Sequence, residues 1–139
     1  MTPAPPGPDA ALRQRCRRAL YEHSRRAAAD HQGALEYGLP HLLELARTSP
    51  CCAYCGAVLD AGLLSFDHQL PTCRVADYRL SNLVVCCTAC NTAKGLLSAE
   101  EFRHLLALLR TWHPRAGNDV LGRLRAGGVR YARSRRRGA

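Results

Sequence analysis

Lysine is almost missing from this chain. Of its 20 Lys and Arg residues only Lys94 is lysine, and the other 19 are arginine. The sequence also lacks any apolar run reaching the roughly 18 residues that span a bilayer, which excludes a transmembrane helix. Its N-terminus, MTPAPPGPDA, has neither a basic n-region nor an apolar h-region, so no secretory signal is expected and the chain is assigned to the cytoplasm. In a reducing compartment its eight cysteines point to metal binding rather than disulfides. No internal repeat is present, which argues against a solenoid.

What the chain does have is positive charge. The formal charge is +9 and the isoelectric point is near 9.6. Basic side chains displace condensed counterions from phosphates, so a nucleic acid is the expected partner and no membrane is. At 139 residues and 47% hydrophobic content, one small domain is expected, of the size that a bound metal often reinforces.

Residues 1–8 are proline-rich and read as a disordered leader. Within the helical region 9–50, Leu12, Cys16, Ala19, Leu20, His23 and Ala27 recur at helical spacing between arginines, predicting an amphipathic helix from Asp9 to about His31, with Gly33 ending it. A second helix is predicted over Pro40–Arg47. Strand-like runs occur at LLSF (63–66) and LVVC (83–86). Ser98 and Glu101 stand in capping-box register, and Phe102, Leu105, Leu106 and Leu109 predict a helix from Ala99 to about Trp112. Residues 114–139, which include Arg133, Arg135, Arg136 and Arg137, read as a basic arm suited to phosphates. His23, His31, His41, His104 and His113 are expected to be surface or partly buried side chains.

Cys52/Cys55 and Cys87/Cys90 form two C-x-x-C pairs. Four thiolates suit a closed tetrahedral zinc site that leaves no open position for catalysis. Cys51 and Cys86 allow C-x3-C alternatives, but C-x-x-C is the commoner knuckle spacing and Gly56 suits a tight turn after Cys55. Cys86 then reads as a buried strand residue, and Cys16 and Cys73 have no partner at ligand spacing. A plain zinc ribbon separates its pairs by about 15–20 residues. Here 31 residues lie between Cys55 and Cys87, so something has been built into the interval.

That interval contains FDHQLP (66–71) and SNLVV (81–85), and CNTAKG (90–95) follows. The ordered set C-x-x-C, D-H-x-x-P, N-L-V, C-x-x-C-N-x-x-K-G resembles the HNH endonuclease family in its zinc-bound form. The match runs over about residues 51–95, and the helix trailing it extends the nuclease segment to 51–113. The resemblance implies an α+β fold, a small ββα-metal core with structural zinc flanked by N-terminal and C-terminal helices. It implies metal-dependent hydrolysis of DNA phosphodiester bonds leaving 5′-phosphate and 3′-hydroxyl ends. It further implies His68 as general base, Asp67 and Asn91 as ligands of a catalytic divalent metal, Asn82 as the residue holding the loop that carries His68, and Cys52, Cys55, Cys87 and Cys90 as zinc ligands.

The chemistry of the residues agrees with that assignment. One carboxylate and one amide oxygen leave coordination positions for water and phosphate, a hard-oxygen set suited to Mg²⁺ or Mn²⁺. A neutral imidazole can take a proton near pH 7. Lys94, three residues beyond Asn91, is a candidate to contact a phosphate, and Arg74 and Arg79 are candidates to grip the nucleic-acid backbone. One departure stands out. Family members carry Gly-Gly where this chain has Val75-Ala76, so the loop between the strands is expected to turn differently, since a β-branched residue resists positive φ. The rival reading is a non-catalytic zinc module that binds nucleic acid. Nothing in the residues separates DNA from RNA or sets the oligomeric state.

Overall fold

A computed structural model describes residues 1–137, with side chains through Gly127. Five helices and one two-stranded antiparallel sheet make up the described chain, in the order α1 (Pro8–Ala29), α2 (Leu39–Thr48), β1 (Leu64–His68), β2 (Leu83–Cys87), α3 (Thr88–Lys94), α4 (Ala99–Thr111) and α5 (Pro114–Arg137). The fold is α+β, as the sequence implied.

Helix α1 stops at Ala29, earlier than Gly33 suggested. Gln32 N–H reaches Ala27 O and His31 N–H reaches Ala28 O, while His31 itself takes a positive φ of 56°. These are the two bonds of a Schellman cap, with histidine in the left-handed position that glycine more often fills. Helix α4 begins with the anticipated capping box. Ser98 Oγ accepts from Glu101 N–H, and Glu101 Oε1 accepts from Ser98 N–H.

The sheet has a polar and an apolar consequence. Its register pairs Leu64 with Cys87, Phe66 with Val85 and His68 with Leu83, and between these Ser65 with Cys86 and Asp67 with Val84. Side chains alternate across a strand. Leu64, Phe66, Leu83 and Val85 therefore share one face, where they form a core with Cys16 of α1 and Leu42 and Leu43 of α2. The other face carries Cys86 into a second core with Cys52, Tyr54, Ala93 and Phe102, backed by Leu121 and Leu124 of α5.

Residues 114–137, expected as part of a basic arm, are instead helix α5, which packs against α3 and α4. Charge dominated the reading of this stretch, but Val120, Leu121 and Leu124 are half-buried at helical spacing, an apolar stripe beneath the arginines. Pro114 serves both ends, stopping α4 and filling the first turn of α5, where its missing N–H costs nothing. Gly117 permits the close crossing: a Cβ there would lie 2.6 Å from the Leu109 carbonyl oxygen.

Phe102 is fully buried and sits edge-on to Tyr54 with ring centroids 5.1 Å apart. Phe102→Ala is expected to destabilise the fold by about 3–5 kcal/mol in urea denaturation. Leu108→Ala on the same helix, where the leucine is exposed, should shift stability by no more than about 0.5 kcal/mol.

Candidate active site and metal cluster

The Sγ atoms of Cys52, Cys55, Cys87 and Cys90 all lie within 4.8 Å of one another, a cluster that could hold a tetrahedral zinc ion. Two local structures assemble it. Residues 51–58 form a knuckle in which Cys51 bridges Val58, Gly56 N–H bonds Cys52 O and Cys52 N–H bonds Ala57 O. Gly56 takes φ +74°, as a residue just past the second ligand must. The second structure is the start of α3, where Cys87 is the N-cap and its sulfur accepts from Cys90 N–H. The backbone N–H groups of Tyr54 and Cys55 point at Cys52 Sγ. Burial opposes a thiolate at Cys52, but these backbone donors outweigh it and hold the thiol down at about 7. Cys86 lies in the strand, fully buried and outside the cluster, and Cys51 is exposed. The C-x-x-C register is the one the fold uses. Arg125 was not anticipated: its Nη2 stands 3.9 Å from Cys90 Sγ, placing a cation from α5 beside the sulfur cluster.

A cleft of about 510 Å³ opens along the free edge of β1, between the end of α1 and the end of α3, and it brings Asp67, His68 and Asn91 together. Consecutive strand residues face opposite ways. Asp67 accordingly reaches toward α3 while His68 packs against α1, and only the sheet edge lets both line one cavity. Asp67 is buried, and its two oxygens accept from Tyr54 Oη at 2.5 Å and Lys94 Nζ at 3.3 Å. Burial raises its pKa despite both donors. Asn91 donates through Nδ2 to Ser65 Oγ at 2.8 Å, which leaves its amide oxygen as the acceptor available to a cation.

Lys94 departs from expectation. It is among the most deeply buried side chains of the chain and bonds Asp67 Oδ1 and the His68 carbonyl oxygen. Both contacts lie inside the fold and hold the ammonium against Asp67. Asn82 clamps the segment following His68. Its Oδ1 accepts from Leu70 N–H, and its Nδ2 donates to Leu70 O and Asp77 O. The Val75-Ala76 loop turns without positive φ: Pro71 O accepts from both Arg74 and Val75 N–H, a helical turn open to β-branched residues.

His68 is buried and its Nε2 makes no hydrogen bond. Its pKa is lowered to about 4, first by burial, then by the neighbouring His23, Arg26 and Lys94, with Asp77 opposing. His23 is the residue that reading by type missed. It is buried, accepts or donates at Nδ1 to Tyr37 Oη at 2.8 Å, and its ring lies 4.7 Å from that of His68. The signal was present, since His23 occupies the apolar stripe of α1. Tyr78 flanks His68 from the other side, at 5.7 Å between ring centroids, and its hydroxyl donates to Asp30. Arg74 is paired with Glu101, and Arg79 with Asp77 through two bonds of 2.9 and 2.8 Å. The side chains of Arg133, Arg135, Arg136 and Arg137 lie outside the described residues.

A model of the HNH endonuclease family matches residues 52–98, the segment that holds all four clustered cysteines, Asp67, His68, Asn82, Asn91 and Lys94. This is the family that the motif order resembled, and it supports a nucleic-acid-related, nuclease-like role. No curated protein and no solved structure matches the chain. Among the described residues, no helix is long and apolar enough to cross a membrane.

Two measurements check this geometry. Elemental analysis of the purified chain should find about one zinc per molecule, lost in Cys90→Ser and retained in Cys86→Ala. The second concerns acid. Burial and the charge of Arg26, opposed by Glu22, lower His23 to about 4 from 6.5. Between these values the unfolded chain binds the extra proton, so stability is full above pH 6.5 and is lost as pH falls toward 4. The parent should lose about 2 kcal/mol more than His23→Leu between pH 7 and pH 4.5, read from urea unfolding at the two pH values. Equal losses would show that His23 is not held neutral.

Proposed function

We propose that this chain is a metal-dependent endonuclease that hydrolyses phosphodiester bonds, with DNA as its substrate. The observation that carries the reading is the cleft itself, which gathers the imidazole of His68 with the oxygen-bearing side chains of Asp67 and Asn91. A zinc module that only binds would need the four cysteines and none of these.

Asp67 and Asn91 fit a hard divalent cation, because each offers oxygen as its ligating atom. When bound, Mg²⁺ or Mn²⁺ would supply charge stabilisation for the phosphorus centre and the departing oxygen. Zinc would remain structural in the four-thiolate cluster. The remaining work falls to the protein. The His68 imidazole takes a proton from water as the water oxygen forms its bond to phosphorus. The bond from phosphorus to the 3′ oxygen breaks, that oxygen acquires a proton from solvent, and the products are a 5′-phosphate and a 3′-hydroxyl. With a pKa near 4, His68 is in the base form across the neutral range. Asn82 fixes the backbone beyond His68, Tyr54 and Lys94 fix Asp67, and Ser65 fixes Asn91. Each constraint holds a reacting group by a bond the structure contains, which keeps the geometry from being reorganised during the reaction.

Supercoiled plasmid incubated with Mg²⁺ or Mn²⁺ should be cut by the parent, and His68→Ala should lower kcat by on the order of 10²–10⁴. Cutting at equal rates by the two proteins, or none by either with any divalent metal, would sink the catalytic reading and leave the zinc binding module in its place. A parallel assay on single-stranded RNA tests the choice of DNA.

A further inference from the structure

The cleft is short of usable positive charge. Its substrate is a polyanion, yet the cations that sequence reasoning offered it are committed elsewhere. Lys94 is held by Asp67 and the His68 carbonyl, Arg74 by Glu101 and the Leu96 carbonyl, and Arg79 by Asp77. Among the described residues lining the cleft, one cation forms no ion pair: Arg26 of α1.

We propose that Arg26 is the phosphate-binding residue of this cleft, holding the non-bridging oxygens of the phosphodiester that is cut. The inference rests on the nuclease reading above and extends it to a helix outside the matched segment. Three observations support it. Arg26 shares the cavity with Asp67, His68 and Asn91. Its position is set on both sides, because His23, one turn before it, packs on the His68 ring, and Asp30, one turn after it, accepts from Tyr78 Oη. These contacts place the helix face carrying residues 23, 26, 27 and 30 over the cleft. Finally, Arg26 is exposed, so its guanidinium can be met by substrate without breaking a bond.

The chemistry fits the residue type. A guanidinium presents parallel N–H donors in a rigid fork that matches two phosphate oxygens, which an ammonium cannot do. Those oxygens gain negative charge as water attacks, so a donor aimed at them acts more strongly on the transition state than on bound substrate. Asp30, four residues on, also lines the cleft, but it forms no ion pair with Arg26, and its Oδ2 accepts from the Tyr78 hydroxyl.

The test uses the full chain on a fluorescent duplex and on plasmid, comparing the parent with Arg26→Ala, Arg26→Lys and Arg47→Ala. Arg47, on α2, carries the same charge but is paired with Asp9 at the opposite end of α1 from Arg26. Arg26→Ala should lose on the order of 10²-fold in kcat/KM, Arg26→Lys should recover part of it, and Arg47→Ala should stay within about twofold. Added guanidinium ion should partly rescue Arg26→Ala, an effect that a merely structural arginine would not show. If Arg26→Ala cuts like Arg47→Ala while cutting still needs His68, this inference is overturned and the nuclease reading stands. If the parent does not cut, or cuts without His68, the nuclease reading itself fails and Arg26 loses its substrate.

Discussion

The sulfurs of Cys52, Cys55, Cys87 and Cys90, gathered within 4.8 Å, join the knuckle to the end of the hairpin at the point where the second core forms. A two-stranded hairpin alone in water is marginal, and β1 and β2 are five residues each. The cluster fastens the knuckle to the point where β2 becomes α3. It thereby sets the direction of α3, and α3 carries Asn91 and Lys94 across to β1. Structural zinc contributes on the order of 10–16 kcal/mol, against a typical net stability of about 5–15 kcal/mol. On those magnitudes an ion in this cluster decides whether the second core forms. Arg125, near the Cys90 sulfur, links that decision to α5 by placing a guanidinium next to thiolates that carry excess negative charge once metallated.

Asp67 shows how the scaffold and the site share groups. A carboxylate buried at this depth would be costly alone, and removal of one partner from a buried pair costs about 3–5 kcal/mol. Tyr54 from the knuckle and Lys94 from α3 each satisfy one of its oxygens, so the elements that the cysteines bring together also keep Asp67 in place. The cleft stays polar because of this arrangement, and Asn91 adds its amide oxygen from the same helix. The lone lysine among 19 arginines has a reason in these terms. A compact ammonium on a flexible stem fits a buried slot between a carboxylate and a carbonyl, where a planar guanidinium would bring donors with nothing to receive them.

The residues that the fold gathers here were legible in the sequence because they sit at short, fixed separations: two C-x-x-C pairs, an Asp-His pair, and an asparagine directly after a cysteine. Spacing within a turn or a knuckle is nearly a coordinate. The strands and α4 were readable for similar reasons, periodicity and a capping box. What escaped was set by distant contact. Lys94 lies on the expected helix, yet its partner, 27 residues earlier, turned it inward. His23 was visible in an apolar stripe, but only the packing of α1 on β1 puts it against His68. Arg74 and Arg79 read as free cations until the fold supplied Glu101 and Asp77. In α5 the arginines hid a narrow apolar stripe, because composition outweighs periodicity when so many positions share one charge.

The division of the chain near residue 50 is therefore one of motif rather than of folding. The matched segment, 52–98, contains both strands and the cluster, but it covers only one face of the sheet. Leu64, Phe66, Leu83 and Val85 on the other face are buried mainly by α1, α2 and Tyr37 between them, with Leu59 and Leu80 at the margin. Burying each such side chain is worth about 1.5–3 kcal/mol, so the four together represent roughly the whole net stability of a domain this size. The N-terminal helices are not an accessory to a self-sufficient matched segment. They complete its hydrophobic core, and the same packing that does so sets the imidazole of His23 against His68 and places the arginine of the next turn in the cleft. The matched segment supplies Asp67, His68 and Asn91, while the helices outside it supply the wall packed on His68 and, at Arg26, a positive charge at the mouth of the cleft.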